Sequence, residues 1–316
     1  MKRDGCQLAF IIGHYKSGST WLLNVLSLHP DICGMRETHI FRHANHAADI
    51  ERATAILFSS VPWSAGRSKN LPLRRLREWL QPILEARGSD RWFAMEDRPL
   101  SALDLSVRQR RALRDALSKS SSAEDYCLRF FAFHMDLFAP RRYLLEKTPT
   151  NVEYVSYIRD LFPKCKLIAI HRDGRDVVVS DQFFQTEVQG AIHWDFEAAV
   201  NAWREAMLAQ RQAAAEHEIF SVSYEELHSD PTGTLRRLLG QLGLPASDDL
   251  VDDMLNLSSF RFRTGRDSGQ ESRRSFDRKG VVGDWRNHFT DEQKERFKRI
   301  AGDLLIELGY ERDHGW

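Results

Sequence analysis

Residues Gly13 to Trp21 read Gly-His-Tyr-Lys-Ser-Gly-Ser-Thr-Trp, gathering hydroxyls, a lysine and two glycines within a short stretch. Such a set suits an anion of the phosphate type. A glycine turn entering a helix offers backbone N–H groups and the positive end of the helix dipole. Lys16 adds a point charge, and Ser17, Ser19 and Thr20 add donors. The spacing departs from the Walker nucleotide loop, in which a lysine follows the last glycine; here Ser19 takes that place and Lys16 stands in mid-loop. A second set is Arg172 and Ser180, in His171-Arg-Asp-Gly-Arg-Asp-Val-Val-Val-Ser180. At a strand end and two turns into the next helix, these two can close on one phosphate from two sides, the guanidinium as a forked contact. A third is Arg278-Lys279-Gly280, followed by Gly283-Asp-Trp and Asn287-His-Phe. There two cations and a close-approaching glycine backbone can wrap an anion. Together the sets imply a ligand with phosphates at two separated places.

These residues need elements to hold them. Gln7–Gly13 is an apolar run of the kind buried in parallel sheets, and a helix is expected over 19–28, ended by Pro30. Two more strands are expected at 143–146 and Lys166–His171, and a fourth at 220–224. Strands alternating with helices predict an α/β, P-loop-like three-layer fold, with a central, mostly parallel sheet flanked by helices. Helices are expected over 196–218 and 290–308, the latter opened by a Thr290/Gln293 capping box, while the Gly/Ser/Arg-rich stretch 264–279 reads as a mobile loop. A mainly helical insertion is expected over 62–134. From Arg67 to Lys119 it carries 13 Lys/Arg against 7 Asp/Glu, which fits either solvated helix faces or a lid over an acidic substrate. Trp63, Trp79, Trp92 and Phe93 fit either an apolar pocket or the insertion's own small core.

The chain of 316 residues is 42% hydrophobic and 28% charged with zero formal net charge, as expected of a globular protein with one large domain. Zero net charge disfavours a general attraction to nucleic acid or anionic membrane, so any anion site is built locally. Cys6, Cys33, Cys127 and Cys165 lie far apart and form no metal-ligand spacing. They read as reduced thiols, and the apolar run after residue 7 is too short to cross a bilayer. A cytoplasmic protein with no metal site is the expectation.

In their order along the chain, these three segments resemble those of the sulfotransferases that use 3′-phosphoadenosine 5′-phosphosulfate (PAPS) and release 3′-phosphoadenosine 5′-phosphate (PAP). The resemblance runs over 8–45 and 143–310 and leaves the insertion uncovered. It implies that Lys16, Ser17, Gly18, Ser19 and Thr20 form the 5′-phosphosulfate loop. Arg172 and Ser180, with Arg278, Lys279 and Gly280, would hold the 3′-phosphate. Trp21 would stack on adenine, and Tyr224, Ser259 and Phe260 would make the remaining adenosine contacts.

The base is where the chain departs from the family's cytosolic branch. That branch carries Lys-Thr-His, whereas Leu144-Leu-Glu-Lys-Thr-Pro149 has proline at the histidine position. A second branch, acting on glycans and on tyrosine residues, places a glutamate soon after the first helix, and Arg36-Glu37-Thr-His39 resembles that arrangement, as Glu146-Lys147-Thr148-Pro149 resembles its Glu-Lys-(Ser/Thr)-Pro segment. The resemblance implies Glu37 as general base, with His39 in reserve, and Lys16 and Lys147 stabilising charge. A surface pair between Glu37 and Arg36 is the plain alternative. The cytosolic dimer motif is not kept, since Arg286 stands at its first lysine and Asp291 at its valine; oligomeric state is open. The expected reaction is in-line sulfuryl transfer to a hydroxyl or amine of a small-molecule or glycan acceptor, with side-chain cations in place of a metal. A P-loop kinase or NTPase and a non-catalytic nucleotide-binding protein remain as alternatives, the former weakened by the missing post-glycine lysine.

Overall fold

The computed structural model describes residues 6–46, 49–59, 105–138, 141–191 and 193–316. Five parallel strands form one sheet: β1 (Gln7–Gly13), β2 (Ile32–Met35), β3 (Tyr143–Lys147), β4 (Lys166–His171) and β5 (Phe220–Ser223), in the order β2-β3-β1-β4-β5. This is the expected parallel α/β architecture. Gln7 to Ile11 pair with Tyr143 to Lys147, while Ala9 to Gly13 pair with Lys166 to Ile170. The central strand thus has neighbours reached by crossovers in opposite directions, and the crevice beyond the carboxyl ends at such a switch point is where open α/β sheets bind ligands.

Side-chain alternation divides the core between the two faces. Leu8, Phe10 and Ile12 pack with α2 (Ile40–His46), α3 (Ile50–Ser59), α4 (Val107–Leu117), α5 (Ala123–Phe138) and α6 (Val155–Leu161). Ala9 and Ile11 pack with α1 (Ser19–Leu26), and with α9 (Tyr224–Ser229), α10 (Pro231–Gln241) and α11 (Asp248–Ser258). A third cluster joins α7 (Gly174–Phe183), α8 (Phe196–Glu216) and α13 (Asp291–Glu307) around Trp203 and Phe297. A short α12 (Phe260–Thr264) precedes the C-terminal loop.

β2 is absent from the sequence reading, because Ile-Cys-Gly-Met is only four residues long with a glycine inside it. Of the insertion expected over 62–134, residues 62–104 lie outside the described residues, together with Trp63, Trp79, Trp92 and Phe93. Its described remainder contains α5, whose Tyr126, Cys127, Phe130 and Phe131 are buried in the core beside Phe10. The stretch expected to be a mobile loop is cross-tied instead. Arg266 donates to the carbonyls of Gln270, Asp277 and Arg278 and to Ser275 Oγ, and Gly269 and Ser272 donate backbone bonds to the Lys279 and Arg278 carbonyls.

Candidate active site

Every strand in the sheet delivers a candidate residue at its carboxyl end. The turn after β1 places Lys16 at φ +66° and Gly18 at φ +88°, and Gly18 is the N-cap of α1. A left-handed Gly18 is required twice over. Its φ favours glycine, and a Cβ there would stand 2.5 Å from Tyr224 Cδ2. Ser17 Oγ, fully buried beside this helix start, has no hydrogen-bond partner among the described residues. A buried hydroxyl left without a partner is costly unless something completes it.

β4 ends in Arg172, whose guanidinium donates to the carbonyls of Lys16 (3.3 Å) and Val281 (2.9 Å) and to Asp176 (3.3 Å). It lies 4.2 Å over the Tyr224 ring. Its Nε is buried and unpartnered among the described residues. Arg172 therefore joins the loop after β1, the Tyr224 ring at the start of α9 and the C-terminal loop. Ser180 lies on α7, half-buried, and is not among the partners of Arg172. Trp21 meets Tyr224 edge-on at 5.7 Å. Ser259 caps α12 by accepting from Phe262 N at 3.2 Å. Phe260 packs against Gly280, where a Cβ would lie 2.6 Å from its ring.

Arg278 and Lys279, expected to wrap a phosphate, converge here on a carboxylate. Buried Asp284 accepts from both, and also from Asn287 at 3.0 Å and His288 at 3.2 Å. Burial alone would raise the Asp284 pKa; the hydrogen bonds from Lys279 and Arg278 outweigh it and hold the carboxyl well below the usual range. Asp176 secures the same loop by accepting from Gly283 N (2.7 Å) and Trp285 N (2.9 Å).

The candidate base and its neighbouring cations lie between β1, β2 and β3. Lys147 Nζ donates to Thr20 Oγ1 at 3.2 Å and is ion-paired with Glu37. His39 Nε2 is 3.5 Å from the other Glu37 oxygen. Burial would raise the Glu37 pKa, but His39 and Lys147 override it and hold the carboxyl at about 2. Its partners are these two, so the surface pair with Arg36 is not what forms. Lys16 Nζ sits 3.3 Å from the centre of the Phe184 ring and 4.2 Å from that of Phe276. Burial lowers the Lys16 ammonium to about 7, against the opposing pull of Asp181, Asp277 and Glu37.

Sequence reasoning missed Asp284, Asp176, Phe184 and Phe276 as shapers of the site. Asp284 carried a signal, an acid five residues beyond a lysine in a glycine-rich turn. Phe276 carried none, since an aromatic in a polar loop does not reveal which cation it covers. The cradle fits a nucleotide donor carrying phosphates at both ends. Ser17 Oγ and Arg172 Nε are buried donors with no partner among the described residues, and the Lys147 ammonium reaches Thr20 at the helix start.

An anion cradle at the carboxyl ends of a parallel sheet places the chain among the nucleotide-binding α/β proteins. Within that class it belongs to the sulfotransferase family, whose model matches residues 9–249; Arg278, Lys279 and Gly280 lie beyond the matched span. Human sulfotransferase 1C2 is 26% identical over 163 residues, 43% of this chain and 53% of the relative. A flavonol sulfotransferase-like protein of Flaveria bidentis is 27% identical over 188 residues (51% and 61%), and a 3-beta-hydroxysteroid sulfotransferase of Cavia porcellus 30% over 171 residues (46% and 60%). The chain spans between about half and three-fifths of the length of these curated relatives. Among solved structures, the sulfotransferase domain of the Synechococcus PCC 7002 olefin synthase superposes with a TM-score of 0.55 at 17% identity, covering 96% of this chain and 98% of that one. Mouse sulfotransferase SULT7A1 complexed with PAP gives 0.51 at 16% identity (95% and 84%). At these identities the likeness is one of fold.

Proposed function

We propose that this protein transfers the sulfuryl group of PAPS to a hydroxyl or amine of a small-molecule or glycan acceptor, with Glu37 as general base. The observation that carries this reading is the role of Lys147 as a bridge, with its ammonium on Glu37 and on Thr20 of the anion loop. A proton acceptor, a cation and a phosphate cradle thus meet at the carboxyl ends of β1 and β3.

Bound in the cradle, PAPS supplies an activated sulfuryl group on its 5′-phosphate. Lys16, Ser17, Gly18, Ser19 and Thr20 hold that end through charge, hydroxyls and the α1 amide groups. Arg172, with Ser180, Arg278, Lys279 and Gly280, holds the 3′-phosphate, and Trp21, Tyr224, Ser259 and Phe260 take the adenosine. Glu37 would accept the proton of the acceptor hydroxyl or amine as its O–S or N–S bond forms and the bond from sulfur to the bridging phosphate oxygen breaks, while Lys16 and Lys147 would take up the charge left on that oxygen. Positioning and positive charge carry most of the rate, as in phosphoryl transfer.

At about 2, Glu37 is too weak a base to serve while Lys147 remains its partner. Attraction of Lys147 to the donor's phosphate loosens that pair and raises the carboxylate's basicity where it is needed, with His39 keeping it oriented. Purified protein incubated with labelled PAPS and a panel of phenols, aliphatic alcohols, amines and glycans should label at least one acceptor. Turnover of ATP that depends strictly on Mg²⁺, with no sulfuryl transfer, would establish the kinase alternative instead.

Among the described residues no helix is long and apolar enough to cross a membrane.

A further inference from the structure

β3 ends with two ionisable residues whose side chains point to opposite faces of the sheet. Lys147 reaches the helix start and Glu37, whereas Glu146 turns toward the face that holds Phe10 and Met35. Glu146 is fully buried, as are Thr38, Thr148 and Asn151 around it. Its Oε1 accepts from Thr38 N (3.1 Å), Thr38 Oγ1 (2.9 Å) and Thr148 Oγ1 (2.5 Å), and its Oε2 from Asn151 Nδ2 (2.9 Å).

The network is directional. Thr148 Oγ1 gives its proton to Glu146 and accepts from Thr38 N (3.0 Å) and His39 N (3.3 Å); Thr38 Oγ1 does the same while accepting from Ile40 N (3.3 Å). All four groups that touch the carboxyl donate to it, an arrangement that suits a carboxylate, although burial pulls its pKa upward. A buried anion without a cationic partner is expensive unless hydrogen bonds saturate it, and these do.

What the anion holds is the segment that leaves the sheet. The β2–β3 ladder stops at Met35 opposite Glu146. Beyond it the chain carries Glu37, Thr38 and His39, and His39 adopts φ +49°, a left-handed conformation that a non-glycine residue rarely takes unless its surroundings impose it. The backbone amides of 38, 39 and 40 are all fixed through the Glu146–Thr148–Thr38 network. Adjacent residues thus mirror one another across the strand end: Thr38 to Glu146 on one face, Glu37 to Lys147 on the other.

We infer that Glu146 is the positioning residue of the reaction: a buried, hydrogen-bonded anchor that fixes the 37–40 segment so that Glu37 faces Lys147 and the acceptor. The inference rests on the proposed function, and its test separates the two. Replacing Glu146 by Leu removes all four acceptor contacts. Replacement by Gln keeps them if the Asn151 amide rotates to accept from the new Nε2.

For Glu146→Leu we expect kcat to fall about a hundredfold while PAP affinity stays within about threefold of wild type. Glu146→Gln should retain a third or more of kcat. The deciding measurement is the double variant with Glu37→Gln. If Glu146 acts through Glu37, the double variant is no slower than Glu37→Gln alone; if it is merely structural, the two losses multiply and the inference falls. Should Glu146→Leu fail to fold, Thr38→Val makes the same cycle with one anchor contact removed, and multiplied losses there also overturn it. Wild-type rates for Glu37→Gln by itself would instead overturn the base assignment on which both stand.

Discussion

Replacing Glu37 by Gln removes the proposed proton acceptor while keeping the shape of the side chain, and the structure sets what should follow. In the free protein His39 and Lys147 hold Glu37 at about 2, roughly two units below an ordinary glutamate near 4.3. Each unit of basicity is worth up to about a factor of ten in a proton transfer, so the free carboxylate is up to about a hundredfold weaker a base than an unpaired one. When the donor draws Lys147 away, the Glu37 pKa rises. The acid limb of kcat, which reports the donor-bound complex, should therefore lie above that of kcat/KM for PAPS, which reports the donor-free protein. Both limbs rise with pH, because the active form is the ionised carboxylate. Glu37→Gln should lower kcat by about 10²–10⁴, the usual worth of general base catalysis. PAP affinity, measured by calorimetry, should be unchanged or slightly tighter, since Lys147 no longer has an anionic partner to leave. Steady-state rates at several pH values, with PAPS varied at a fixed acceptor concentration, provide the assay. A variant that keeps more than about a third of kcat, or one that matches wild type while His39→Asn is inactive, would refute the assignment of Glu37 and move the base to His39.

Other perturbations test the cradle itself. Gly18→Ala puts a Cβ into the Tyr224 ring at a φ of +88°, so PAP binding should weaken at least tenfold by calorimetry, with Trp21 and Tyr224 displaced together. Asp284→Asn leaves Arg278 and Lys279 without their carboxylate, which should cost roughly 2–3 kcal/mol, below the value for a fully enclosed pair because Lys279 keeps solvent contact. That corresponds to a melting temperature lower by about 3–5 °C. Because the Asp284 pKa is depressed in the folded protein, the difference between variant and wild type should be fully present above about pH 4, the unfolded carboxyl's range. It should fade as pH falls through the folded value. Phe276→Ala frees one aromatic face from the Lys16 ammonium. At about 0.5–1 kcal/mol for such a contact, PAP should bind roughly two- to fivefold more tightly; weaker binding would show that Phe276 supports the loop rather than occupying the lysine.

The sequence was most legible where local chemistry and sheet geometry coincide. Gln7–Gly13 and Lys166–His171 were expected with the bounds they have, because continuous apolar runs between polar turns leave a buried parallel strand few alternatives. The Thr290/Gln293 capping box formed as its spacing required. The loop from Lys16 to Thr20 was readable as an anion cradle because glycine, hydroxyls and a helix start are contiguous in the chain. By itself, then, the sequence determined the sheet's central strands and the candidates for an anion loop, a base and its cations.

The partners of those residues were decided only in three dimensions. Nothing in the order of residues says that Arg278 and Lys279 close on Asp284, that Arg172 reaches both the Lys16 carbonyl and the Tyr224 ring, or that Lys16 rests against Phe184 and Phe276. The tie formed by Arg266 across 266–279 likewise turned a stretch with loop composition into an ordered one. Each of these contacts joins segments far apart along the chain or bends one back on itself, and a charged side chain takes whichever acceptor packing brings within reach. Glu37 shows the division most plainly. Its place four residues before Phe41 and soon after the first helix is written in the chain. Its low pKa is only partly so: His39, whose hydrogen bond lowers it most, stands two residues on, whereas Lys147 arrives at the end of β3, a strand more than a hundred residues later that pairs beside β2 only in the folded sheet.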